Sequence, residues 1–131
     1  MIIGIGHDLT AIARFTAIME GKSGDRFLQR ILTESERHQL AQYAGNGRRA
    51  EFVAGRFAAK EAISKALGCG IGSVLGFHDM QIEKLPSGKP QCRVSETAMR
   101  RLELADRNIK IHLSITHERD HASAFAVVEQ C

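Results

Sequence analysis

From about Arg49 to Leu67 the sequence is patterned as one long helix, with Val53, Phe57, Lys60, Ile63 and Leu67 along one stripe and Gly68 placed to end it. Ala54, Ala58 and Ala62 form a second line of small side chains at four-residue spacing. Such a line lets another backbone approach the helix closely, which limits what can be built around it. Upstream, Ile2 to Gly6 is expected to be a short strand, residues 10–20 a helix carrying Ile12, Phe15 and Met19, and a second short helix is expected to follow Gly24-Asp25, carrying Phe27, Leu28 and Ile31. Thr33-Glu34-Ser35-Glu36 fits a capping box that starts a third helix reaching about Ala44, and Gly45-Asn46-Gly47 breaks the chain. Downstream the period shortens to two. Met80 to Leu85 and Pro90 to Val94 flank Pro86-Ser87-Gly88-Lys89 as a hairpin, and a helix is expected from about Glu96 to Ala105. The last strands are Ile109 to Thr116 and Ala122 to Glu129. Helices early and antiparallel strands late make an α+β fold: an antiparallel sheet, one long helix and shorter N-terminal helices.

At 131 residues the chain is expected to be one domain, 1–131, large enough for a core without disulfides. Cys69, Cys92 and Cys131 are widely spaced and odd in number, which argues against a disulfide framework or a thiolate metal site. No apolar run approaches membrane-spanning length, and the N-terminus lacks the basic region of a signal peptide, so a cytoplasmic protein is expected. The net charge of +3 lies entirely in residues 1–65, which carry ten basic and seven acidic side chains. That is too weak for a nucleic-acid binder, and only one Tyr and six Phe could stack on bases. A mild local positive face suits a phosphate-bearing small molecule or an acidic protein partner.

Three segments could carry chemistry. Gly4-Ile5-Gly6-His7-Asp8 runs a strand into a carboxylate, but Leu9 stands where a dinucleotide fingerprint needs glycine. Asp8 could simply cap the following helix, with the glycines easing a turn. Along the long helix Phe57, Glu61 and Lys65 share a face. Glu61 and Lys65 make either a solvated ion pair or, beside the alanine line, a carboxylate for Mg²⁺ and an ammonium for phosphate oxygens. His117-Glu118-Arg119-Asp120-His121 spells the zinc-protease motif, which requires a helix, yet falls between two strand-patterned runs with no third ligand following. A plain loop, or a His117 that contacts phosphate, fits it better.

Taken together, Gly4-Ile5-Gly6-His7-Asp8-Leu9, the run from Phe52 to Ala62, Gly70-Ile71-Gly72, Gly88-Lys89-Pro90 and Ser114-Ile115-Thr116-His117 resemble the holo-[acyl-carrier-protein] synthases, the short 4′-phosphopantetheinyl transferases. The similarity spans nearly the whole chain in order. Arg56-Phe57-Ala58-Ala59-Lys60-Glu61-Ala62 is its most specific part, and His7 departs from the Thr common in the family. The resemblance implies Mg²⁺-dependent transfer of phosphopantetheine from coenzyme A to a serine of apo-acyl carrier protein, releasing adenosine 3′,5′-bisphosphate, in fatty acid biosynthesis. It implies Asp8 and Glu61 as metal ligands and Lys65 on the diphosphate. Arg56, Lys89 and His117 become candidates for further coenzyme A phosphates, with Ser114 and Pro90 near the nucleotide. The base is Glu61, directly or through a metal-bound water, or a carboxylate of the carrier. Arg14, Arg26 and Arg30 with Ile18 and Phe27 would dock the acidic carrier. The resemblance further implies a homotrimer with sites at subunit interfaces. Two rivals stand beside it: a non-catalytic nucleotide- or coenzyme A-binding module, and a zinc hydrolase.

Overall fold

The computed structural model describes residues 1–131. Strand β1 (Ile2–Ala11) leads into four helices, α1 (Ile12–Glu20), α2 (Gly24–Ile31), α3 (Glu34–Ala41) and α4 (Asn46–Ala66). A hairpin of β2 (Met80–Lys84) and β3 (Pro90–Val94) follows, then the short α5 (Glu96–Arg101), and β4 (Ile109–His117) with β5 (His121–Gln130) close the chain. The strands make two antiparallel sheets, β1-β5-β4 and β2-β3, where the sequence pattern points to one.

Helix α4 begins at Asn46, three residues before the expected start at Arg49, because Gly45 rather than the whole Gly45-Asn46-Gly47 run is the break. It ends in a Schellman motif: Gly68 N–H donates to Lys65 O at 3.0 Å and Cys69 N–H to Ser64 O at 3.2 Å, with Gly68 at φ +79°. Ala54, Ala58 and Ala62 are fully buried, and strand β1 lies flat against this side of the helix. A methyl group at Gly4 or Gly6 would stand 1.7 Å from the Ala66 carbonyl oxygen or 1.8 Å from that of Ala62. These glycines therefore serve close packing inside a strand, not a turn. Strand β1 also runs on to Ala11, and Asp8, paired with Ala124, caps no helix; Ala11 stands at the N-cap of α1 without a side-chain hydrogen bond.

Two apolar clusters flank α4. Ala58, Ala62 and Ile63 meet Leu75, Met80, Ile82, Cys92 and the inward residues Ala124, Ala126 and Val128 of β5. Ala50, Phe52, Val53 and Ala54 meet Phe15, Ile31, Leu32 and Leu40 of the N-terminal helices. The Thr33 capping box forms with both of its reciprocal hydrogen bonds. Helix α5 stops at Arg101 because Leu102 caps it and Glu103 turns to φ 59°. All three cysteines are free; burial pushes the Cys92 thiol up to about 12, so it behaves as a small apolar group. No helix is long and apolar enough to cross a membrane.

Candidate active site

Strand β1 and helix α4 cross so that Asp8 and the Glu61–Lys65 turn come together. Alternation in β1 explains the position of Asp8: it lies on the side of the strand that faces α4, as Gly4 and Gly6 do. Of the two readings of Glu61 and Lys65, the mutual ion pair does not form. Lys65 Nζ reaches across to Asp8 Oδ1 at 3.2 Å and to the His7 carbonyl oxygen at 3.0 Å. Glu61 is left with a carboxyl held above its ordinary range, first by burial and next by the neighbouring Asp8 charge, with Lys65 and Arg14 opposing. Two carboxylates that repel each other beside a lysine favour a cation between them.

The donor set decides which cation fits. No third His, Cys, Asp or Glu joins Asp8 and Glu61. Two carboxylate oxygens are too few for an all-protein zinc or calcium cage. They match Mg²⁺, which takes one or two carboxylates and completes its shell with phosphate oxygens and water. The residues fit that ion.

Glu61 also opens onto a cavity of about 300 Å³ lined by Arg14, Phe27, Arg30, Ile31, Phe57, Ile71 and Phe77. Arg14 lies 5.2 Å from the centre of the Phe57 ring and 5.4 Å from that of Phe15, so its charge is held over an aromatic floor. Three of the residues expected to dock a carrier (Arg14, Phe27 and Arg30) thus share one cavity with Glu61. Arg26 is exposed on α2 and Ile18 half-buried on α1; neither lines the cavity.

A second cavity, of about 240 Å³, gathers Arg56, Pro90 and His117 with Tyr43, Arg48, Glu51, Lys84 and Gly88. Arg56 is buried over the Phe52 ring, 4.6 Å from its centre, and Nη2 donates to Gln39 Oε1 at 3.3 Å. Its Nε has no hydrogen-bond partner, an unmet donor in a wall of the cavity. His117 Nδ1 lies 3.6 Å from Glu51 Oε2. Lys89 instead lines a groove between β3 and β4 with Lys110 and His112, and Pro90 borders both spaces. Ser114 pairs with Phe125 on the sheet face turned away from α4, so it does not meet His117 within the chain.

Arg48, Glu51 and Lys84 are additions that motif reading missed. Arg48, Phe52 and Arg56 stand four residues apart, a helical spacing that could have marked the first of them. The His117–His121 segment is a strand–turn–strand with His121 Nδ1 3.1 Å from Glu118 Oε1, which removes the helical zinc geometry. The cavity of Glu61 and that of His117 share no residue.

The chain matches the family model described as the 4'-phosphopantetheinyl transferase superfamily over residues 4–126. It is 44% identical over 133 residues to the holo-[acyl-carrier-protein] synthase of Bacillus subtilis, covering 99% of this chain and 98% of that protein. The corresponding Marinomonas synthase is 42% identical over 129 residues, with 98% of each chain covered. Among solved structures, the Bacillus anthracis holo-(acyl-carrier-protein) synthase in complex with CoA (3',5'-ADP) superposes with a TM-score of 0.84 at 40% identity, covering 100% of this chain and 99% of that one. The Helicobacter pylori synthase in complex with coenzyme A gives 0.81 at 35% identity, covering 95% and 99%.

Proposed function

The chain belongs to the 4'-phosphopantetheinyl transferase superfamily, and from that premise we propose that it moves the 4′-phosphopantetheine group of coenzyme A onto a serine hydroxyl of apo-acyl carrier protein, releasing adenosine 3′,5′-bisphosphate. The observation that carries this reading is the meeting of Asp8 and Lys65 beside Glu61, which itself lines a cavity walled by Arg14, Phe27 and Arg30. A phosphoryl-transfer site beside a cationic, part-apolar dock is what a diphosphate donor and an acidic protein acceptor require.

Asp8 and Glu61 are the residues that would hold Mg²⁺; bound there, the ion supplies charge neutralisation to the diphosphate oxygens. Lys65, already within hydrogen-bonding distance of Asp8, turns its ammonium to the same oxygens. Attack by the serine oxygen on the β-phosphorus forms one P–O bond and breaks another, and the bisphosphate departs with that electron pair. The serine proton needs an acceptor. Glu61 or a carboxylate of the carrier takes it. Arg56, with its unmet Nε, and His117 with Pro90 supply the second cavity as the place for the nucleotide end of coenzyme A. Lys89 and Ser114, outside that cavity, are assigned to the same ligand on a neighbouring subunit.

The separation of the two cavities supports a homotrimer with sites shared between subunits. So does the outward face of the three-stranded sheet, where Ile5, Leu9 and Phe125 remain 60%, 62% and 47% exposed. The chain then acts as a single transferase domain of the cytoplasm, serving fatty acid biosynthesis. Incubating the protein with apo-acyl carrier protein, coenzyme A and Mg²⁺ should add one phosphopantetheine mass to the carrier, and chelation should abolish the gain. A folded protein that modifies none of a panel of fatty-acid, polyketide and peptide-synthesis carriers rejects the assignment.

A further inference from the structure

Lys60 lies in the apolar stripe of α4, next to Glu61 but turned inward. Its ammonium is fully buried and uses all three of its hydrogens: it donates to Glu36 Oε1 at 2.6 Å, to the Ile31 carbonyl at 2.7 Å and to the Phe77 carbonyl at 3.0 Å. Glu36 is equally occupied, accepting from Thr33 N–H and Ile82 N–H, both at 2.8 Å. The two charges sit where helix ends favour them. Ile31 closes α2, whose last carbonyls attract a cation, and Glu36 stands in the first turn of α3, whose free N–H groups attract an anion.

Stability alone gives no reason for the pair, because an apolar pair of similar volume is often no worse. The acceptors do give one. Ile31 and Phe77, whose carbonyls Lys60 holds, are two walls of the cavity onto which Glu61 opens, and Phe77 stacks on Phe57 of the same cavity at 5.8 Å. One ammonium, one residue from Glu61, therefore links α2 and the Phe77 turn to the helix turn that carries the reacting carboxylate. We infer that Lys60, neutralised by Glu36, is a positioning residue for the transfer, fixing the Ile31 and Phe77 walls against which the carrier must seat its serine beside Glu61. Without the ammonium both buried carbonyls must find other donors, and the walls move with them.

The inference rests on the proposed transferase reading, and the test separates the two. The double variant Lys60→Met with Glu36→Gln removes both charges at near-constant volume. Steady-state transfer to the apo-acyl carrier protein of a bacterial fatty-acid synthase should show the carrier KM raised at least tenfold, with the coenzyme A KM within twofold of the parent. A merely structural defect would lower the active fraction, and so kcat, with both KM values unchanged; that result, or an unchanged carrier KM, overturns the inference. If the variant does not fold, ¹⁵N spectra of the parent protein decide: titrating the carrier should shift the Thr33 and Ile82 amide resonances that report on Glu36. Their immobility while the amides of Arg14 and Phe27 move also overturns it. Absence of any transfer by the parent protein rejects the transferase reading itself.

Discussion

Glu61 is pulled in two directions by its surroundings. Burial and Asp8 oppose its negative charge, while Lys65 and Arg14 favour it. Such a balance is useful only if a cation or a proton arrives to settle it. Glu61→Gln keeps the shape and removes the charge, so transfer should fall by about 10²- to 10⁴-fold, the range for losing an acid–base group, and the melting temperature should hold. A mass-shift assay beside a thermal melt checks both, and near-parental turnover would remove Glu61 from the reaction. At this scale part was readable beforehand. Glu61 and Lys65 were marked by residue type and spacing on the small-residue side of the helix, whereas Asp8 read as a helix cap from its own segment and became a metal-ligand candidate only through the family resemblance. The partner of Lys65 was not readable. A helical spacing of four puts Glu61 within reach, and only the approach of β1 brings Asp8 nearer. Lys60 was equally hidden: in sequence it is one polar residue in an apolar stripe, and the carbonyls that satisfy it come from segments 17 and 29 residues away.

Between elements, the contact of β1 with α4 sets the site, and two glycines permit it. Gly6→Ala would drive a methyl group into the Ala62 carbonyl. The strand must then lift from the helix, at a cost of about 1–3 kcal/mol by the usual scale for overpacking, and Asp8 should move with it. Urea denaturation should show the loss, and transfer should fall further than the loss of folded protein explains. A second junction joins β2 to α5 through Asp79. Burial alone would raise the Asp79 carboxyl, but the Ser95 hydroxyl at 2.6 Å, the Gly76 amide at 2.8 Å and the Arg101 charge outweigh it and hold it below its ordinary range. The ionised form is favoured by folding, so its stabilisation is complete above the ordinary carboxylate range and is lost as pH falls through the lowered value. The stability gap between the parent protein and Asp79→Asn should therefore be largest at neutral pH and close on acidification, as measured by urea titration across that range; a gap independent of pH would contradict it.

For the whole molecule, the outward sheet face carries large apolar side chains exposed to solvent. His7 stacks on Phe125 at 5.5 Å and hydrogen-bonds with Ser123 at 2.8 Å, with Ile5 and Leu9 exposed beside them. Leu9→Asp places a charge in this patch, far from the core. If the proposed trimer forms through this face, the variant should run as a monomer by light scattering while the parent runs as a trimer, and transfer should fall at least tenfold. A parent that is itself monomeric, or a trimer that survives the change, overturns that interface. Local pattern was enough to set the α+β class, the five helices and the hairpin near Gly88, since turn chemistry, caps and periodicity act over a few neighbouring residues. It was also enough to mark Glu61 and Lys65, while Asp8 needed the family resemblance. Tertiary packing alone decided that β1 continues to Ala11, that the strands divide into two sheets, that Arg56 and His117 share a cavity apart from Glu61, and that Lys60 anchors two walls from within. Those outcomes depend on backbones and side chains meeting across long stretches of chain. Close packing and the need to satisfy every buried charge choose among such meetings, and neither acts until the chain has folded back on itself.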